Sequence, residues 1–182
     1  MRSEILDSAQ FRGTCGRFTT GVTVATVMAA DGSPHGITVS SFTPVSLEPP
    51  LILICVDCRA QFVRHLPEGH KFGINMLEES QQGLSRQFSR KEAVRFSGIA
   101  WHTGKTGVPL LPSVLAIMEC KLIQRVSAGD HFILVGQTLH ASFYEGDPLT
   151  YFNGCYRKLL WEPWNARSQE GFGDGMDWSL II

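Results

Sequence analysis

Gly36-Ile-Thr-Val-Ser-Ser-Phe-Thr-Pro-Val-Ser-Leu-Glu-Pro-Pro-Leu51 reads as extended chain that bends rather than as helix. Ile37, Thr38 and Val39 are β-branched and favour a pleated backbone. Pro44 cannot donate to a ladder, which suits an edge. Gly36–Phe42 and Pro44–Leu47 are therefore read as one bent, edge-rich strand region. Pro49-Pro50 then leads into Leu51-Ile-Leu-Ile-Cys-Val56, a buried strand by length and composition.

Working outward, the period changes on both sides. Upstream, Phe11, Cys15 and Phe18 recur at helical spacing, and the stripe ends before Gly21. Val22–Met28 is a β-branched strand, closed by the Asp31-Gly32 turn signal. Downstream, a short helix is expected over Ala60–Leu66 and a strand over Lys71–Leu77. Ser80 is placed as the cap of a helix that runs to about Phe88 and turns Leu84 and Phe88 inward. Ser89–Thr106 is polar and irregular, with Phe96 and Trp101 as anchors, and Pro109 and Pro112 bracket another turn. From Val114 the pattern is antiparallel β: Ala116, Met118, Cys120 and Leu122 alternate with Ile117, Glu119 and Lys121. Ala128-Gly129-Asp130 is the hairpin turn before a strand over His131–His140. At least six strands with few short helices predict a mainly β fold, an antiparallel, Greek-key-like barrel that removes most free edges. No internal repeat is visible.

The 182 residues fit one domain over 1–160, followed by a tail over 161–182 in which Trp161, Trp164 and Trp178 punctuate a Gly-rich stretch. A solvated tail rarely carries three tryptophans, so the tail is expected to dock on the barrel or on a second subunit. Net charge is −1, with 43% hydrophobic and 18% charged residues, which argues against a broad duplex nucleic-acid surface. No run approaches the ~20 apolar residues that span a bilayer. MRSEILDSAQ carries Glu4 and Asp7 where a signal peptide needs an apolar run. Five cysteines make an odd set, expected to be reduced thiols in the cytoplasm.

Four motifs in order carry a resemblance: Phe18-Thr-Thr-Gly-Val-Thr-Val24, the Gly36–Leu51 run, Gly129-Asp-His131 and Pro148-Leu-Thr-Tyr-Phe-Asn-Gly-Cys-Tyr-Arg157. Together they resemble the flavin reductase-like family, the small reductase components of two-component flavin monooxygenases. The resemblance covers about Phe11 to Leu159. It implies an FMN-binding split β-barrel, a homodimer with flavin near the subunit interface, and transfer of hydride from NADH or NADPH to FMN or FAD. It also implies a separate flavin-dependent monooxygenase as partner. Two departures stand out. The family often has Arg where Asn153 stands, and Asp57-Cys-Arg-Ala60 lacks the Ser or Thr commonly found in that loop.

Such chemistry needs no protein nucleophile, because the cofactors carry it and the protein positions two rings. Charge grows at one edge of the reduced flavin, so donors are needed there. Thr38, Val39, Ser40 and Ser41 fit, through exposed amides and short hydroxyls; the plainer reading is an ordinary Thr/Ser-rich strand. A phosphate calls for cations with hydroxyl or backbone donors. Phe88-Ser89-Arg90 at a helix end and Asp57-Cys58-Arg59-Ala60 each supply a set, unless the arginines are simply solvated. His131, at the mouth of an apolar strand, is the candidate catalytic residue and, by the resemblance, holds the nicotinamide dinucleotide. Its alternative is a turn histidine covering the barrel end. Tyr156-Arg157 offers an aromatic face and a fixed cation for the same ligand, against a reading as a barrel-closing strand with an exposed Arg.

Cys55-Val-Asp-Cys58 has no second pair to make a zinc site, and the other histidines show no metal spacing. Gly171-Phe-Gly-Asp-Gly175 follows no strand-turn-helix pattern and is not a dinucleotide fingerprint. Other readings remain open at this point: a same-fold reductase of a ferric chelate or corrinoid, and a flavin-binding barrel without catalysis.

Overall fold

The computed structural model describes residues 6–90 and 95–159; the tail over 161–182 lies outside the described residues. In chain order these form α1 (Ser8–Cys15), β1 (Thr20–Gly21), β2 (Thr23–Met28), β3 (Pro34–Val39), β4 (Thr43–Leu47) and β5 (Pro50–Asp57). Next come α2 (Gln61–Arg64), β6 (Lys71–Met76), a 3-10 turn (Glu79–Gln81) and α3 (Gln82–Ser89). The remaining strands are β7 (His102–Thr103), β8 (Pro109–Leu110), β9 (Ala116–Ala128), β10 (His131–Phe143), β11 (Thr150–Phe152) and β12 (Cys155–Arg157).

One seven-stranded antiparallel sheet, in the order β3-β2-β6-β9-β10-β5-β4, holds the fold. Its two edges are consecutive in the chain, joined only by residues 40–42. Laid flat, seven strands would separate the edges by about 29 Å, at ~4.8 Å per strand. Four steps of chain reach about 14 Å. The sheet must therefore curl, and it becomes a barrel split between β3 and β4. The Ser41 hydroxyl partly bridges the split, accepting from Cys55 N–H (2.8 Å) and donating to Cys55 C=O (3.1 Å) beyond the end of the β4 ladder.

The core has two parts, and β2 explains why. Its residues alternate between faces and both faces are covered, so every residue from Thr23 to Val27 is buried, the two threonines included. Ala25 and Val27 point into the barrel with Ile52, Ile54, Val56, Phe72, Ile74, Leu122 and Leu134. Phe62, Val63 and Leu66, on and just after α2, close one end of that barrel core. Val22 and Val24 point outward, onto Leu77, Phe88, Leu111, Val114 and Leu149. A small sheet, β1-β11-β12, lays Tyr151 and Tyr156 against this second cluster. Asn75, fully buried, ties the parts together: its amide donates to Val24 C=O (3.0 Å) and accepts from Leu111 N–H (2.8 Å).

Several expectations change in detail. Glu78, not Ser80, caps the turn before α3: its carboxylate accepts from Ser80 N–H while Gln81 reaches back to the Glu78 N–H. Glu119, which alternates along β9 with buried Cys120 and Leu122, is itself only 3% exposed. The loop at 104–106 folds over it, and its carboxylate accepts from Lys105 N–H, Thr106 N–H and the Thr106 hydroxyl at 3.0, 2.6 and 2.6 Å. The α1 stripe buries none of its residues, and Phe18 lies beyond the helix, largely open to solvent in the single chain. The expected strand over His131–His140 extends to Phe143. All five cysteines are free, and none of the helices among the described residues is long and apolar enough to cross a membrane.

Candidate functional site

The free edge of β3 is the feature from which the site grows. Val22 C=O accepts from Leu77 N–H on the β6 side. Alternation along β2 then sends the backbone groups of Thr23, Ala25 and Val27 toward β3, where they meet Val39, Ile37 and His35. The backbone groups of Gly36 and Thr38 consequently point off the sheet, and Ser40 follows just past the end of the strand. At Gly36 this edge is filled, because its carbonyl accepts from Arg95 Nη1 at 2.7 Å. Farther along, the N–H of Thr38 faces outward, as a ligand with an acceptor along one edge requires.

Beside this edge lies a hollow of about 220 Å³, lined by Val22, Thr38, Ser40, Ser85, Ser89, Tyr151 and Tyr156. Four of these, Thr38, Ser40, Ser89 and Tyr156, were selected from the sequence. Val22, Ser85 and Tyr151 were not. The Thr38 hydroxyl is already engaged, donating to Ser85 C=O at 2.7 Å. Ser85 Oγ shares a hydrogen bond of 2.8 Å with the Tyr156 phenol, and Arg86 stands 5.7 Å from the centre of the Tyr156 ring. Ser89 Oγ donates to Arg86 C=O (2.8 Å), while Arg90 is exposed at the end of α3. Arg157 is exposed too, its carbonyl accepting from the Thr150 hydroxyl. Val39 and Phe88 are buried, so neither offers a side chain to a ligand.

A second group gathers where β5 and β10 end. His131 pairs with Asp57 across the ladder, and Cys58 N–H donates to Asp130 C=O at 3.0 Å. Gly129, at φ 63°, makes the tight turn that brings β9 back into β10 here. His131 Nδ1 lies 2.7 Å from Asp130 Oδ1, which holds the Asp130 carboxyl below the usual carboxylate range. Arg59 grips Asp57 through two side-chain bonds of 3.0 and 2.7 Å and one backbone bond of 2.8 Å. Those bonds drive the Asp57 carboxyl far below its ordinary value and raise the guanidinium above its own. Arg59 is thus neutralised in place, so an anion here would share it with Asp57. Ala60 caps α2 by position alone, without a side-chain bond.

Asn153, where the resembled family often has Arg, has a backbone explanation. It sits at φ 50° and Gly154 at φ 77°, both positive, as in the two-residue turn that joins β11 to β12. Asn and Gly are the residues that tolerate this geometry. Asn153 N–H also donates to Gly16 C=O at 2.8 Å.

A larger hollow, about 410 Å³, opens elsewhere, between Leu111, Val114, Leu115 and Tyr144, and holds none of the residues selected from sequence. The chemistry favours the smaller one, where hydroxyls, an aromatic face and the β3 edge converge. No cluster of three metal-ligating side chains occurs among the described residues.

Known proteins resemble this chain in sequence and in fold. The family model of the flavin reductase like domain matches residues 15–160. A probable flavin reductase of Rhizobium meliloti is 39% identical over 156 residues, 86% of this chain; the chain spans about half (50%) of that longer relative. An FMN reductase (NADH), SmoA, of Agrobacterium fabrum is 39% identical over 153 residues, 84% of this chain and 87% of that protein. Among solved structures, BorF, the flavin reductase component of a bacterial two-component tryptophan halogenase, superposes with a TM-score of 0.78 at 40% identity. That match covers 86% of this chain and 100% of BorF.

Proposed function

The chain belongs to the flavin reductase-like family, and from that premise we propose that it is an NAD(P)H:flavin oxidoreductase that reduces FMN or FAD for a separate flavin-dependent monooxygenase. Bound side by side, a flavin and a reduced nicotinamide supply a hydride transfer between two rings. The carrying observation is the β3 edge at Thr38, with Ser40 just beyond it, opening onto a hollow walled by hydroxyls and by Tyr156.

The residues divide the work. The Thr38 and Ser40 amides hold the edge of the isoalloxazine where negative charge develops. Ser89 and Arg90 lie at the end of α3, where a hydroxyl and a cation suit the flavin phosphate. His131, fixed by Asp130, and Tyr156 with Arg157 orient the dinucleotide from the rims. Asp57 and Arg59 make a neutral clamp that keeps the turn before α2 in shape.

We further propose that it works as a homodimer. The hollow, at about 220 Å³, falls short of the roughly 300–1,000 Å³ of ordinary ligand pockets. Exposed Phe11 and Phe18 give a second copy apolar surface with which to complete the walls. Five unpaired thiols suit a cytoplasmic location.

The test is spectroscopic. Purified protein mixed under argon with FMN, then with NADH or NADPH, is expected to bleach the oxidised flavin band catalytically. Binding of flavin without reduction by either dinucleotide would overturn the assignment, and FAD run in parallel identifies the preferred flavin.

A further inference from the structure

Ser85 is fully buried on α3, yet it carries a hydroxyl at the junction of three elements. A buried polar group is costly unless hydrogen-bonded, so its partners are fixed rather than incidental. Its carbonyl accepts from Thr38 on β3 at 2.7 Å, and its Oγ shares a 2.8 Å hydrogen bond with Tyr156 on β12. Thr38 and Tyr156 are separate walls of the same hollow. Among the hydrogen bonds of the described residues, those of Ser85 alone join the two walls.

We propose that Ser85 is a positioning residue that couples the flavin edge at β3 to the dinucleotide face at Tyr156, so that each ligand strengthens the binding of the other. The inference rests on the function proposed above. A flavin seated on the Thr38 and Ser40 amides immobilises the β3 edge. Thr38 then fixes the Ser85 carbonyl, Ser85 Oγ fixes the phenol, and the Tyr156 ring is set at its angle before the dinucleotide arrives. Arg86, over the same ring, takes its place from the same turn of α3. Coupling between binding sites is reciprocal, so bound dinucleotide tightens flavin by the same factor.

FMN affinity is measured by flavin fluorescence, without and with saturating NAD+, which occupies the dinucleotide site without reducing the flavin. Wild type, Ser85→Ala, Tyr156→Phe and the double variant are compared. NAD+ is expected to lower the wild-type FMN dissociation constant about fivefold, the scale of one ordinary hydrogen bond. Each single variant is expected to bring the factor to about one. The double variant loses nothing further, because both changes remove the same bond. A merely structural Ser85 would weaken FMN equally with and without NAD+. An undiminished factor in Ser85→Ala, additive losses in the double variant, or a wild-type factor of one would each overturn the coupling. Should Ser85→Ala fail to fold, Tyr156→Phe removes the same bond from the better exposed side and decides alone. Wild-type protein that binds no flavin defeats the proposed function itself; wild-type protein that reduces flavin with unlinked sites defeats only the role of Ser85.

Discussion

Gly36→Ala probes the packing beneath the site. A Cβ at residue 36 would lie 2.7 and 2.8 Å from two ring carbons of Phe88 and 3.2 Å from Ala25 C=O. Contact between carbons settles at ~3.5–4.0 Å, so the ring has to retreat by about 1 Å. It has nowhere to go: Phe88 is fully buried and meets Phe96 edge-on, with ring centres 4.9 Å apart. The strain therefore moves α3 away from β3. Overpacking costs roughly 1–3 kcal/mol, and the loss of unfolded-state freedom on replacing Gly returns about 0.4–1 kcal/mol. The net destabilisation, from about zero to about 2.6 kcal/mol, corresponds to a Tm lower by up to about 10 °C for a chain of this length. The Thr38–Ser85 bond, 2.7 Å at rest, stretches past hydrogen-bonding range, which weakens FMN about fivefold. Thermal unfolding and an FMN titration check both effects. Gly83→Ala is the control, since nothing lies within 4 Å of the place its new methyl would take and Ala favours the helix; its Tm should rise. Wild-type Tm and FMN affinity in Gly36→Ala would refute the steric reasoning.

Four other outcomes follow from the geometry. His131→Ala should raise KM for the dinucleotide about tenfold, the scale of a hydrogen bond to a charged group, and leave FMN affinity unchanged, as steady-state kinetics and titration will show. Asn75→Leu strands Leu111 N–H and Val24 C=O in the interior, and should cost about 2–4 kcal/mol in denaturant unfolding. Burial pushes the Glu119 carboxyl up, but the donors at Lys105 and Thr106 outweigh it, and its folded value is lowered. Native protein therefore binds fewer protons there than unfolded protein does, so the contribution of Glu119 is complete above the ordinary Glu value of about 4.3 and is lost as pH falls below it. Wild type should accordingly lose more stability than Glu119→Gln between about pH 5 and about pH 3, as read by urea unfolding at each pH. Burial pushes the Cys120 thiol up to about 12, so it should resist a thiol reagent at about pH 8 that modifies exposed Cys15, Cys58 and Cys155.

Strands were legible where local pattern and burial agree. Val22–Met28 and Leu51–Val56 read correctly because both faces of β2 and the inner face of β5 meet core. The hairpin at Gly129-Asp130 was carried by turn chemistry alone. The burial of Glu119 was not legible, because its partners sit at Lys105 and Thr106, and strand alternation knows nothing of a loop that returns over the sheet. Ser85 and Val22 escaped notice for a related reason. A serine inside a helix and a valine opening a strand are ordinary locally, and only the fold sets them beside Thr38 and Tyr156. The cap before α3 was hidden because glutamate is not a favoured N-cap, and only the fold shows Gln81 closing a reciprocal box with Glu78.

The turn at Gly129-Asp130 has a consequence for protein engineering. Successive β10 residues face opposite sides of the sheet, and Phe132 and Leu134 point into the barrel. His131 therefore owes its outward direction to odd–even counting from the core. Inserting one residue within β10 just after His131 would swing the imidazole to the barrel side, whereas inserting two would restore its side and move it one step along the ladder. Grafts at this hairpin should accordingly be made in steps of two.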